Sequence, residues 1–137
     1  MSKGNTTEND VLQKLFHAVE LSWDANTSLF LSLHTADPGE AGAQTASEAT
    51  YTSYARVEVA RDATGWDVVA NQASNDDLLQ FPACTGGTNT ITHVAIGTVA
   101  LPGAGQIIYS GELNDALAVS NGIQPQFAIG SLTIVED

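Results

Sequence analysis

The feature that most constrains this chain is a single change of hydrophobic period. Across residues 9–22, Val11, Leu12, Leu15, Phe16 and Val19 recur at intervals of three and four, with Trp23 continuing the series. That spacing gives a helix one apolar stripe. Gln13, Lys14, His17 and Glu20 fall on the other face, Thr7 stands where an N-cap belongs with Asp10 three residues on, and Asp10 and Lys14 are spaced for an i,i+4 pair. No second stretch of this kind follows Asp24. Residues 1–8, small and polar, read as a flexible N-terminal arm. This leaves residues 9–137 as one domain that opens with its only helix.

From there on the period is two. Leu29, Leu31 and Leu33 alternate with Phe30, Ser32 and His34, so residues 28–35 read as a strand with one strongly buried face. Asp37, Pro38 and Gly39 turn the chain into a long loop over residues 36–52, a length at which loops are functional or mobile. Residues 54–61 alternate again, and residues 66–70, beyond the turn at Gly65, are their expected hairpin partner. Further strands are expected at 78–81, 90–97, 106–111 and 131–136. Another at 117–120 should run through the Asn121-Gly122 turn and return over 123–129, where Pro125 confines it to an edge or breaks it. The fold class that follows is mainly β, an antiparallel β-sandwich of seven or eight strands with one N-terminal amphipathic helix.

Charge narrows the partners. The 137 residues carry 16 acidic and 4 basic side chains, a formal net charge of −12, and the cations Lys3, Lys14, Arg56 and Arg61 all lie before residue 62. Such a surface repels phosphate backbones and anionic lipid, so neither nucleic acid nor a membrane is an expected partner. A single cysteine cannot form an internal disulfide. The apolar run at 29–33 is too short to span a bilayer, and residues 1–10 are too polar for a signal peptide.

Reactive constellations are weak. Cys84 is the only thiol, and the only base nearby in sequence is His93, with no cation in the second half of the chain to lower its pKa; it reads as a packing residue. Ser110-Gly111 lacks the elbow context of a nucleophilic serine. His17, His34 and His93 show no metal-ligand spacing, and Asp76-Asp77 and Asp37 with Glu40 lack a calcium-loop pattern. The glycine-rich stretch 97–105 has no following lysine and helix, so a hairpin turn explains it better than a phosphate loop. No catalytic, cofactor or metal residue is assigned and no cofactor is expected. Trp23, Trp66, Tyr51, Tyr54 and Tyr109 are the side chains that could form a carbohydrate-stacking platform, against the commoner role of aromatics half-buried in strands.

Several stretches carry a resemblance. Leu33-His34-Thr35-Ala36-Asp37-Pro38-Gly39, Tyr54-Ala55-Arg56-Val57, Phe81-Pro82-Ala83, Ile91-Thr92-His93-Val94-Ala95-Ile96-Gly97, Ile108-Tyr109-Ser110-Gly111-Glu112-Leu113, Pro125-Gln126-Phe127 and Gly130-Ser131-Leu132-Thr133-Ile134 resemble a family of small tailed-bacteriophage virion proteins over residues 8–137. The resemblance implies a non-enzymatic structural protein. Its members are labelled capsid decoration (cement) or tail-fibre-like proteins. Of these the acidic charge and the missing site favour a cement protein on the outer head surface, binding and stabilising the major capsid protein. The alternative is a tail-tip or tail-fibre module that binds a host surface, with Trp66 and nearby tyrosines as stacking platforms. A homo-oligomer, dimer or trimer, is expected from the symmetry of virions.

Overall fold

A computed structural model describes residues 1–137. Ten strands and one helix follow in the order β1 (Ser2–Lys3), α1 (Asn5–His17), β2 (Ser28–His34), β3 (Val57–Ala60), β4 (Trp66–Val69), β5 (Gln72–Asn75), β6 (Leu79–Gln80), β7 (Asn89–Gly97), β8 (Ile107–Val119), β9 (Gln126–Phe127) and β10 (Thr133–Val135). The fold is mainly β and every pairing is antiparallel. A five-stranded sheet in the order β1-β8-β7-β2-β3 carries a three-stranded sheet β10-β5-β4 and the short pair β6-β9.

Between them lies the core. Leu31, Leu33, Val59, Ile91, Val94 and Ile96 of the large sheet meet Leu79 and Ile134 from the smaller ones and Phe81 and Leu132 beside them. Registers follow the alternation of the sequence: Leu31 stands opposite Ile96 and Val57, and Leu33 opposite Val94. Tyr51, Tyr54 and Phe81 form an aromatic run inside the core, with ring centroids 5.3 and 6.3 Å apart.

The N-terminus differs from expectation. Residues 1–8 are not a free arm, because Ser2 and Lys3 pair with Ser110 and Tyr109 at the edge of β8 and the helix begins at Asn5 rather than residue 9. Gly4 is the N-cap. It lies so close to β8 that a Cβ there would sit 2.4 Å from the Ile107 carbonyl oxygen, which leaves glycine as the residue that fits. Thr7, read as the cap, lies inside the helix, where its hydroxyl donates to Ile107 O at 2.9 Å while Gln106 bonds both Thr7 and Asp10. This polar clamp docks the helix on the residues around 4, 7 and 10. Much of the apolar stripe therefore faces outward: Leu12, Leu15 and Phe16 are 56%, 69% and 77% exposed, while Val11 is half-buried and Val19, also exposed, lies past the helix end. The helix closes at His17, with Ala18 in the left-handed region at φ 55°.

Other differences concern pairing. β4 pairs with β5 across a turn at Ala70-Asn71, not with β3. β8 absorbs both the 106–111 and 117–120 segments into one strand of 13 residues. At Asn121-Gly122 the chain does turn, Gly122 having φ 90°, but the outgoing segment pairs at Gln126–Phe127 with β6 instead of returning on β8.

The 36–52 loop is packed down on the large sheet. It covers the second face of β2, so Ser32 and His34 are buried beside Leu31 and Leu33, and both faces of that strand end inside the protein. Thr35 N donates to Ser47 O and Ala49 N to Leu33 O, each at 2.8 Å. The loop's Gln44 is fully buried, and a Cβ at Gly97 would sit 2.0 Å from its Cδ.

Candidate functional site

Three places gather chemistry: a sealed polar cluster beneath the 36–52 loop, an open aromatic cleft between the sheets, and a second cavity that His93, Asp37 and Glu40 line. The sealed cluster centres on Arg56, whose side chain is fully buried. Its Nε and Nη2 donate to the two carboxylate oxygens of Glu48 at 2.7 and 2.8 Å, and Nη1 donates to Val99 O at 2.8 Å. The Tyr54 hydroxyl donates to Glu48 at 2.8 Å and accepts from Leu33 N at 3.1 Å. Burial above all, with the Glu48 carboxylate adding to it, pushes the Tyr54 phenol up.

Beside it, Gln44 Nε2 donates to Ser32 Oγ at 3.3 Å, and Ser32 Oγ lies 2.8 Å from His34 Nε2. His34 Nδ1 faces the Ala46 carbonyl at 2.8 Å, which fixes the proton on Nδ1 and makes Nε2 the acceptor of the Ser32 hydroxyl. A serine donating to a histidine is the opening geometry of nucleophilic catalysis. Here Ser32 and His34 are both 0% exposed, so no substrate reaches them, and burial lowers the imidazole pKa and keeps it neutral. The cluster satisfies the buried polar groups under the loop. Sequence reading missed it, because Glu48 and Gln44 sit in a loop and meet Arg56 only through the fold.

Of the residues singled out for reactivity, Asp37, Glu40, His93 and Ser110 line a second cavity of about 710 Å³ together with Glu112, while Cys84 lies elsewhere. Cys84 is buried, its thiol 3.1 Å from Gly86 O, while the His93 ring bonds the Thr92 hydroxyl at 2.8 Å, so the two form no pair. Ser110 lies buried near the start of β8. Asp37 caps Gly39 N and Asp77 caps Leu78 N, at 2.9 and 2.7 Å, as loop carboxylates do. Glu40 accepts from Ser2, and the 97–105 glycines make the connection between the antiparallel β7 and β8.

The cleft is where aromatic residues converge. About 740 Å³ in volume, it has a floor of Leu29, Ile96, Ile108 and Tyr109 from the large sheet. The facing wall is a row across the small sheet, Val68 opposite Ala73 and Ala73 opposite Ile134, with Trp66 next along β4. Trp23 closes one end, and the Arg61 guanidinium lies 4.8 Å from its ring centroid. Arg61 is held there by Asp24, its Nη1 donating to the Asp24 carbonyl at 2.9 Å and its Nη2 meeting the carboxylate at 3.3 Å. Lys3 sits 5.8 Å above the Tyr109 ring and pairs with Glu136 at 2.9 Å. The remaining rim is acidic, with Asp62, Asp67 and Asp76. Hydrogen bonds from Thr64 hold the Asp62 carboxyl below its usual range. The indole N–H groups of Trp23 and Trp66 are both buried and both lack a partner. Of the five aromatics named from sequence, Trp23, Trp66 and Tyr109 line this cleft, while Tyr51 and Tyr54 belong to the core.

None of the three by itself names a function. A comparison with protein families does: the model for "Podophage GP4 fiber I protein gp80" matches residues 2–135. The chain belongs to this family. It is therefore a phage virion structural protein, as the resemblance implied, and the match includes the N-terminal strand and helix. No curated protein matches the chain.

Proposed function

We propose that the protein is a non-enzymatic structural component of the phage fibre, carried on the tail rather than on the head. The observation that carries this reading is the family match over residues 2–135, whose description is that of a fibre protein. The cement reading drew on charge and on the missing site. A net charge of −12 suits any position outside the shell, so it does not favour the head over the tail.

A structural role also accounts for the outward face of α1. Leu12, Leu15 and Phe16 form an exposed apolar stripe on it, the kind of surface that marks contact with another chain. We propose that copies of this chain meet there as a dimer or trimer, since closed symmetry is the rule in assemblies of identical chains. Light scattering should give a multiple of the chain mass, reduced to the monomer by Phe16→Asp; a wild-type monomer at high concentration would refute the oligomer. Position is tested by copy number. On a stained gel of purified virions a fibre component is present in few copies, whereas a band approaching the major capsid protein would overturn the fibre reading.

A further inference from the structure

We infer that His34 is an acid-sensitive latch: while neutral it holds residues 45–47 down on β2, and on protonation it lets that segment lift with the rest of the fold still closed. This goes beyond the fibre assignment and holds wherever in the virion the chain sits.

The segment is tied at both ends and pinned in the middle. Before it, Gln44 N donates to Gly105 O at 3.2 Å and Ala43 bridges to Gln106. After it, Arg56 grips the Glu48 carboxylate, and the amides of Thr50 and Tyr51 donate to Asn89 Oδ1 at 2.8 and 2.9 Å. Between these anchors the grip on β2 is short. His34 Nδ1 donates to Ala46 O at 2.8 Å, and Thr35 donates to Ser47 O through its N–H at 2.8 Å and its hydroxyl at 3.2 Å. Ser47 stands in the left-handed region at φ 52°, a backbone conformation that serine keeps only where its surroundings hold it.

Every neighbour of the ring requires it to be neutral. A protonated imidazole carries N–H on both nitrogens. Nε2 would then aim a proton at Ser32 Oγ, which already accepts from Gln44, and the serine's own proton would lose its acceptor. His93 of β7 stands directly opposite His34 in register, and Arg56 faces it from just before β3. Glu48, bridged to His34 from the loop, is the carboxylate nearest in register, and both its oxygens already accept from Arg56. Glu112 lies one strand further out, opposite His93. Burial acts in the same direction. With residues 45–47 lifted the ring meets water and takes up a proton at its ordinary pKa of about 6.5. The closed form refuses that proton, so its advantage is complete above about pH 6.5 and is lost below it. From about pH 7.5 to about pH 5.5 the lifted form gains about tenfold.

The experiment is amide hydrogen exchange on the full chain, followed by NMR at those two pH values and corrected for the intrinsic rates. The Thr35 amide, bonded to Ser47 O, reads the latch; the amides of Val94 and Ile96, in β7 between β2 and β8, read whole-molecule unfolding. Thr35 should be the less protected at both pH values and should lose about tenfold of its protection at the lower one. His34→Gln should abolish that loss, and His93→Gln, which leaves the bond to Ala46 in place, should keep it. Exchange of Thr35 in step with Val94 and Ile96, no loss at the lower pH, or a loss that survives His34→Gln would each overturn the proposal. If His34→Gln does not fold, the wild-type ring decides: an imidazole of His34 that titrates at about 6.5 or above in the folded chain overturns the latch, and one that titrates below it upholds it.

Discussion

Replacing Arg56 by methionine tests the argument that the 36–52 loop is held by a buried ion pair. The substitution keeps the apolar stem and removes four hydrogen bonds, two to Glu48, one to Val99 O and a longer one to Gln44 Oε1. Glu48 is left with only the Tyr54 hydroxyl, while its side chain is 9% exposed. Breaking one partner of a buried pair costs about 3–5 kcal/mol, and the sliver of exposure at Glu48 places the expected loss near the lower end, about 3 kcal/mol. A chain of 137 residues has an unfolding entropy of roughly 0.29 kcal/mol/K, so the melting temperature should fall by about 10 °C. Urea unfolding should show the same loss as a lower midpoint at unchanged slope. Arg56→Met combined with Glu48→Leu removes the stranded charge and should recover most of it. A single variant that loses less than about 1 kcal/mol, or a double variant no more stable than the single, would refute the reasoning.

Three further outcomes follow from the same structure. His34 is held neutral by burial, so its folded pKa lies below the ordinary 6.5; the unfolded chain takes up a proton that the folded one refuses, and stability present above about pH 6.5 is lost as pH falls towards the folded value. His34→Gln should flatten that part of the urea-midpoint profile, and identical profiles would contradict the assignment. Gly97→Ala drives a methyl into Gln44, whose side chain is enclosed, and should cost about 1–3 kcal/mol by thermal melting. Cys84 is 1% exposed, so its thiol should ignore a disulfide reagent in the native protein and react fully in urea.

The alternating runs showed where strands form because a strand's two faces are written in consecutive residues. Residues 28–35 and 90–97 were read from sequence almost to the residue. Partners were less legible. The Trp66 strand turns back on the following segment, and Asn121-Gly122 turns the chain without making a hairpin, since which edge a strand meets depends on packing far away in sequence. The helix shows the limit of periodicity: Leu12, Leu15 and Phe16 do share one face, but Gly4, Thr7 and Asp10 dock the opposite side and the helix ends at His17, before Val19, so its direction and length depend on a close backbone approach. Of the cleft, the aromatic residue types could be read from the sequence. Their convergence could not, because Trp23, Trp66 and Tyr109 come from three distant segments.

The claim that this chain is a fibre component is tested most directly by a cryo-EM map of the intact virion. The account predicts density for the five-stranded sheet and its overlying three-stranded sheet at the tail, with the outward face of α1 against a neighbouring copy. The same fold found repeated over the capsid lattice, and absent from the tail, would contradict it.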